Sequence, residues 1–186
     1  MRSLSEHFVS SLIAHDLIQK EERELYEYGF RQGGMLAFNM ITTIVIGMVF
    51  GMVVESMIFL LTYIPLRSYS GGYHARTPVR CYMLSVAVVA LALVVIRLQI
   101  WTWFAVIAAV SASSVIIFLL SPMEAANKPL DQLERRVYQR HTYMILFVLA
   151  VSTLLFWFIK KQFAVSVAVS VSAVAGMQLL EQIKKS

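Results

Sequence analysis

Cysteine occurs only once, at position 81, so no disulfide can close within the chain. Cys81 is therefore either an inert packing group or a reactive thiol. Charge is scarce as well. Only 15% of the 186 residues are charged, against 59% hydrophobic, where an ordinary soluble domain has about a quarter charged and about half apolar. A soluble fold of this length would lack the polar surface to cover itself, which excludes a secreted or cytosolic globule. Acidic residues are fewer than basic ones, 11 against 16, giving a net charge of +5. In so apolar a chain that excess reads first as membrane topology, and no nucleic-acid partner is expected. Residues 1–34 hold ten charged residues and no apolar h-region, so no signal peptide is expected there. Internal repeats, heptads and low-complexity tracts are also missing. The composition predicts an all-α, polytopic integral membrane helical bundle in the lipid bilayer.

The chain reads as a single membrane-embedded domain over 1–186. Within 1–34, Ser3 and Glu6 have capping-box spacing, and Leu4, Phe8 and Leu12 recur every four residues beside Val9 and Ile13. This predicts an amphipathic helix lying on the membrane or under the bundle. His7 and His15 fall in it without an evident role. Residues 35–66 form a run of 32 with one charge, Glu55, long for one span of about 20 residues and short for two. Gly47 and Gly51 lie where a helical hairpin would turn. Four further helices are predicted within 78–180, over 78–96, 100–120, 141–159 and 163–180. Tight turns at Arg97–Gln99 and Lys160–Gln162 separate them pairwise.

Charge counting favours the hairpin. Lys and Arg number four before residue 35, three in 67–80, four in 121–140 and two at the C-terminus. With a hairpin these thirteen share one face, and only Arg97, Lys160 and Lys161 lie on the other. With a single span the two faces come out nearly equal. The positive-inside rule therefore predicts about six membrane segments, the first two short, with both termini cytoplasmic.

The stretch 67–82 carries the chemistry. Thr77 is a good N-cap and Pro78 a favoured first helical residue, so a helix should start there with Cys81 in its first turn. The helix dipole, with Arg76 and Arg80 nearby, would favour a thiolate at that place. His74 precedes it in a loop hinged by Gly71 and Gly72, from which an imidazole can take a thiol proton and return one to a leaving amine. The N–H groups of Gly72 and Tyr73 are candidate oxyanion donors. On spacing alone, a packing cysteine and an idle histidine account for the same residues. A metal site is not expected, since one Cys and one His fall short of the three or four protein ligands of a zinc site. No cofactor is called for.

The run Arg67, Gly71-Gly72-Tyr73-His74-Ala75 and Cys81-Tyr82 resembles the signature of the accessory gene regulator B (AgrB) family. These are membrane cysteine endopeptidases that process quorum-sensing propeptides. A second stretch, 122–130, with Asn127-Lys128-Pro129-Leu130, is similar to the family's loop motif between the fourth and fifth spans. Motif order, size and hydropathy agree over nearly the whole chain. The resemblance implies Cys81 as nucleophile and His74 as general base, within a catalytic loop over 67–80. It implies as substrate an AgrD-like propeptide: an amphipathic leader, a pheromone segment and an acidic tail. Cleavage before the tail would leave an acyl thioester, which the propeptide's own Cys or Ser converts into a thiolactone or lactone autoinducing peptide.

Other residues have two readings each. Glu55, an ionisable group inside an apolar run, is a candidate accessory to the histidine; it also sits near the hairpin bend, free to reach water or Arg67. Arg67 is a candidate contact for a substrate carboxylate or for the loop, and equally a headgroup anchor. Lys128, Arg135, Arg136 and Arg140 would hold an acidic tail, or mark a cytoplasmic loop. Trp101, Trp103, Tyr143 and Trp157 suit interfacial belts. Ser and Ala alternating with Val over 164–175 predict a close helix contact, within the bundle or across a homodimer. The alternative function is a non-catalytic membrane transport or scaffold subunit that binds a peptide.

Overall fold

The computed structural model describes residues 2–15, 17–73, 77–123 and 131–185. Among them are seven α-helices, one short 3-10 turn and no strand. The helices are α1 (Arg2–Ala14), α2 (Arg23–Phe50), α3 (Val53–Ser70), α4 (Pro78–Arg97), α5 (Trp103–Leu120), α6 (Gln132–Ile159) and α7 (Lys161–Lys185). Five of them, all but α1 and α3, are long and apolar enough to cross a membrane. The chain divides into two compact units, residues 1–42 and 43–186.

In the first unit, Val9 of α1 is buried and Phe8 stacks on Phe30 of α2 at 4.8 Å between ring centroids. Arg23 and Glu27 pair at 2.8 Å, one helical turn apart on α2. The helix begins at Arg23, ahead of the apolar run that starts at Met35, so the first apolar helix is longer than its hydropathy suggests. Helix propensity continues through the polar residues, because nothing before Gly51 forces a break.

The second unit starts with the hairpin. Gly51 takes φ +65° and Met52 N–H donates to Gly47 O at 2.8 Å, closing the turn between α2 and α3. A Cβ at Gly47 would run into Ser56 Oγ, so glycine lets the two helices meet. Ile96, Leu93, Met52, Phe59, Val106 and Val165 pack a core at this end. Leu66, Ile117, Leu146, Val171 and Val174 pack a second core at the other.

Helix α7 is the centre of the bundle. It packs against α3, α4, α5 and α6. Of its most apolar stretch 67% is buried, against 11–22% for the other four long apolar helices. Ala164, Ser166, Ala168 and Ser170 are fully buried, and their small volumes let the surrounding backbones approach. The close contact read from 164–175 therefore forms within the bundle. Phe104, Phe147, Phe158 and Leu119 point outward on α5 and α6, as lipid-facing helices require.

Candidate active site

The site is built where α3 ends and α4 begins. Helix α3 runs to Ser70, whose buried carbonyl would be left without an intrahelical partner at a helix end. Three donors converge on it: Met123 N–H at 3.0 Å, Gln178 Nε2 at 2.9 Å and Ser121 Oγ at 3.4 Å. Gln178 Nε2 also reaches Ser121 Oγ at 3.0 Å, and Gln139 Nε2 donates to Ser121 O at 3.4 Å. The end of α3, the α5–α6 connection and α7 thus meet on one carbonyl.

Gly71 and Gly72 follow with φ +76° and +148°, conformations that side chains disfavour. A Cβ on Gly71 would strike Met123 O, and one on Gly72 would lie 3.0 Å from Arg67 Nη1. Position 71 needs glycine for space as well as for dihedral, and position 72 chiefly for dihedral. Tyr73 N–H then donates to Met177 O at 3.2 Å, its carbonyl accepts from Arg67 Nη2, and Lys184 Nζ stands 4.9 Å from its ring centroid. Lys184 also pairs with the buried carboxylate of Glu181 at 3.6 Å. Tyr73 therefore lies along the 177–181–184 face of α7.

Thr77 is extended and accepts from Arg80 N–H through its side chain at 3.4 Å, with Pro78 in the first helical position. Cys81 N–H makes the first full helical bond, to Thr77 O at 3.0 Å. Cys81 is a free, half-buried thiol in the first turn of α4, where the helix dipole favours negative charge. Tyr63, one turn before Arg67 on α3, lies within electrostatic reach of both Arg67 and Cys81. Its ring stacks on Phe59 at 5.3 Å and faces the Arg67 guanidinium at 5.9 Å.

The sequence-derived residues thus divide. Arg67, Gly71, Gly72, Tyr73 and Cys81 come together at one end of the bundle. His74 and Lys128 lie outside the described residues. Tyr73 N–H is engaged by Met177 O, whereas Arg67 Nη1 is buried with no hydrogen-bond partner among the described residues. Glu55 does not meet Arg67. It sits in the first turn of α3 and Arg67 in the last, about 18 Å apart along the axis, and its carboxylate pairs with Lys160 at 2.8 Å. Among the described residues no group of three or more His, Cys, Asp or Glu could hold a metal ion. Tyr63, Ser121, Met177, Gln178 and Glu181 also belong to the site, and no motif marks them. The only signal for Gln178 was an amide in an apolar helix, a costly placement without partners.

The model of the family described as accessory gene regulator B matches residues 5–181. This chain belongs to the AgrB family. An AgrB-like protein of Clostridium perfringens (strain SM101 / Type A) is 27% identical over 129 residues, covering 66% of this chain and 59% of that protein. A second, AgrB-like protein 2 of Clostridium perfringens (strain 13 / Type A), is 32% identical over 80 residues, covering 43% of this chain and 36% of its own length. The matched stretches thus span about three fifths and about a third of those relatives. No solved structure matches. Family membership and the long apolar helices together make this AgrB-family chain a multi-pass membrane protein.

Proposed function

We propose that this chain is a membrane cysteine endopeptidase that removes the C-terminal tail of an AgrD-like propeptide in quorum sensing. The observation that carries this reading is Cys81 in the first turn of a Thr77-capped helix, beside a segment docked by Arg67. In it, the Cys81 thiol gives its proton to His74 and attacks the carbonyl joining pheromone to tail. His74 returns the proton to the leaving amine, the C–N bond breaks, and the pheromone is held as an acyl thioester. The propeptide's own Cys or Ser then attacks that thioester, closing the ring and restoring the Cys81 thiol. Transfer between thioesters conserves the activation that hydrolysis would discard, provided the site excludes water.

Arg67 Nη1 is the donor that meets the substrate carbonyl or carboxylate, with Gly71, Gly72 and Tyr73 holding the wall beside it. Lys128, with Arg135, Arg136 and Arg140, holds the acidic tail. Raising ionic strength should raise KM, and neutralising these residues should remove that dependence. In this reading the site faces the cytoplasm of a bacterial cell, the side to which the positive-inside rule assigns thirteen of the sixteen basic residues.

Cys81→Ala and Cys81→Ser are expected to abolish tail release while membrane insertion stays intact; cleavage by either variant overturns the reading. A thiol-reactive probe separates the enzyme from a binding subunit. The enzyme labels at Cys81 in a pH-dependent manner that His74→Ala suppresses, and a transport or scaffold subunit does not.

A further inference from the structure

We infer that Gln178 is a positioning residue for Cys81: its amide N–H groups, donated to Ser70 O and Ser121 Oγ, hold the end of α3 to the residue that opens the α5–α6 connection. The inference rests on the peptidase reading above. Gln178 is fully buried, and its Nε2 lies 2.9 Å from Ser70 O and 3.0 Å from Ser121 Oγ. The orientation of the amide is fixed by Ser70. A backbone carbonyl only accepts, so turning the amide over would set oxygen against oxygen. Ser121 Oγ can give or take, so it settles nothing by itself.

What Gln178 joins gives the contact its consequence. Ser70 immediately precedes the two positive-φ glycines, and Ser121 immediately precedes Pro122, where the second motif-bearing connection starts. One residue further on, Met123 N–H binds the same Ser70 carbonyl, and Met177 O, adjacent to Gln178 on α7, receives Tyr73 N–H. The end of α3 and the start of the α5–α6 connection thus meet at the Ser70 carbonyl, and the Gln178 side chain joins both to the central helix. Its other atom, Oε1, has no hydrogen-bond partner among the described residues, so the contacts on which Gln178 acts here are those of its donor.

The test uses the full-length protein in detergent micelles and the rate of Cys81 alkylation by iodoacetamide, from about pH 5 to about pH 9, the range that spans ordinary His and Cys titration. Gln178→Met keeps the volume and removes the donor. It should slow alkylation at neutral pH by about tenfold, near 1.4 kcal/mol of barrier, and move the profile toward that of His74→Ala. Gln178→Glu should be at least as severe, because a carboxylate oxygen would face Ser70 O. Ser121→Ala, a milder change, should move the profile the same way by less, and decides the matter if the Gln178 variants do not fold. A folded Gln178→Met protein with the parental profile overturns the inference, as does a parental profile in Gln178→Glu. So does an unmoved profile in Ser121→Ala where only that variant folds. A profile that His74→Ala leaves unmoved overturns the peptidase reading, and this inference with it.

Discussion

Glu55 and Lys160 form an ion pair at 2.8 Å across 105 positions of sequence, and it closes the end of the bundle opposite Cys81. The Glu55 side chain is 7% exposed and that of Lys160 48%, so one partner is held in the protein and the other reaches out to it. The pair ties the α2–α3 turn to the break between α6 and α7. It also holds Glu55 at the end of α3 away from Arg67.

Removing one partner should therefore cost stability and not activity. Lys160→Met leaves the Glu55 carboxylate buried with no cation, and should destabilise the detergent-solubilised protein by about 1–2 kcal/mol, less than a fully buried pair because Lys160 is half exposed. Glu55→Gln combined with Lys160→Met should recover most of the loss in a thermal melt. Tail release by Glu55→Gln should stay within about twofold of the parent, about 0.4 kcal/mol of barrier; a larger fall gives Glu55 a part in catalysis.

Gly71 and Gly176 make a matched pair for glycine replacement. Gly71→Ala must hold a Cβ at φ +76° and against Met123 O, a strain of about 1–3 kcal/mol. It should abolish tail release with the helical content retained. Gly176 lies inside α7, and a methyl group there would meet nothing within 4 Å, so Gly176→Ala should stabilise by up to about 1 kcal/mol. Circular dichroism melts and a tail-release assay on both variants check the contrast.

Arg67 holds the Tyr73 carbonyl with one terminal nitrogen, and its other, Nη1, is buried with no hydrogen-bond partner among the described residues. Lysine offers a point charge on a flexible stem and cannot supply both directions at once. Arg67→Lys should lower kcat/KM at least about tenfold, near 1.4 kcal/mol, with Arg67→Met lower still. Near-parental kinetics in Arg67→Lys would reduce the residue to a charge at the membrane surface.

The central position of α7 predicts intolerance to volume. Ala168 is completely buried, and Ala168→Leu should cost about 1–3 kcal/mol through overpacking. Outward-facing Phe158, 85% exposed, should accept Leu with little change in the melt.

Much of this is legible along the chain alone. Thr77, Pro78 and Cys81 are local signals, because a cap and a first-turn position depend only on neighbours along one helix, and α4 starts where they require. The hairpin likewise follows from an apolar run too long for one span and from the sidedness of the basic residues. Gln178, Tyr63 and Met177 are not legible as site residues. Their partners lie far off in sequence, Ser70 being 108 positions from Gln178, and no periodicity records such a meeting. Glu55 shows the same limit, since an isolated carboxylate in an apolar stretch announces that it needs a partner without naming it.

By itself the sequence determined that this chain is a membrane helical bundle with one thiol at a helix start, because hydropathy and capping act over a few turns. Only the tertiary structure decided that the C-terminal helix occupies the centre, that Lys160 answers Glu55, and that Gln178 bonds Ser70 and Ser121. Those outcomes depend on which small residues let helices approach and on which buried polar groups find each other across the bundle.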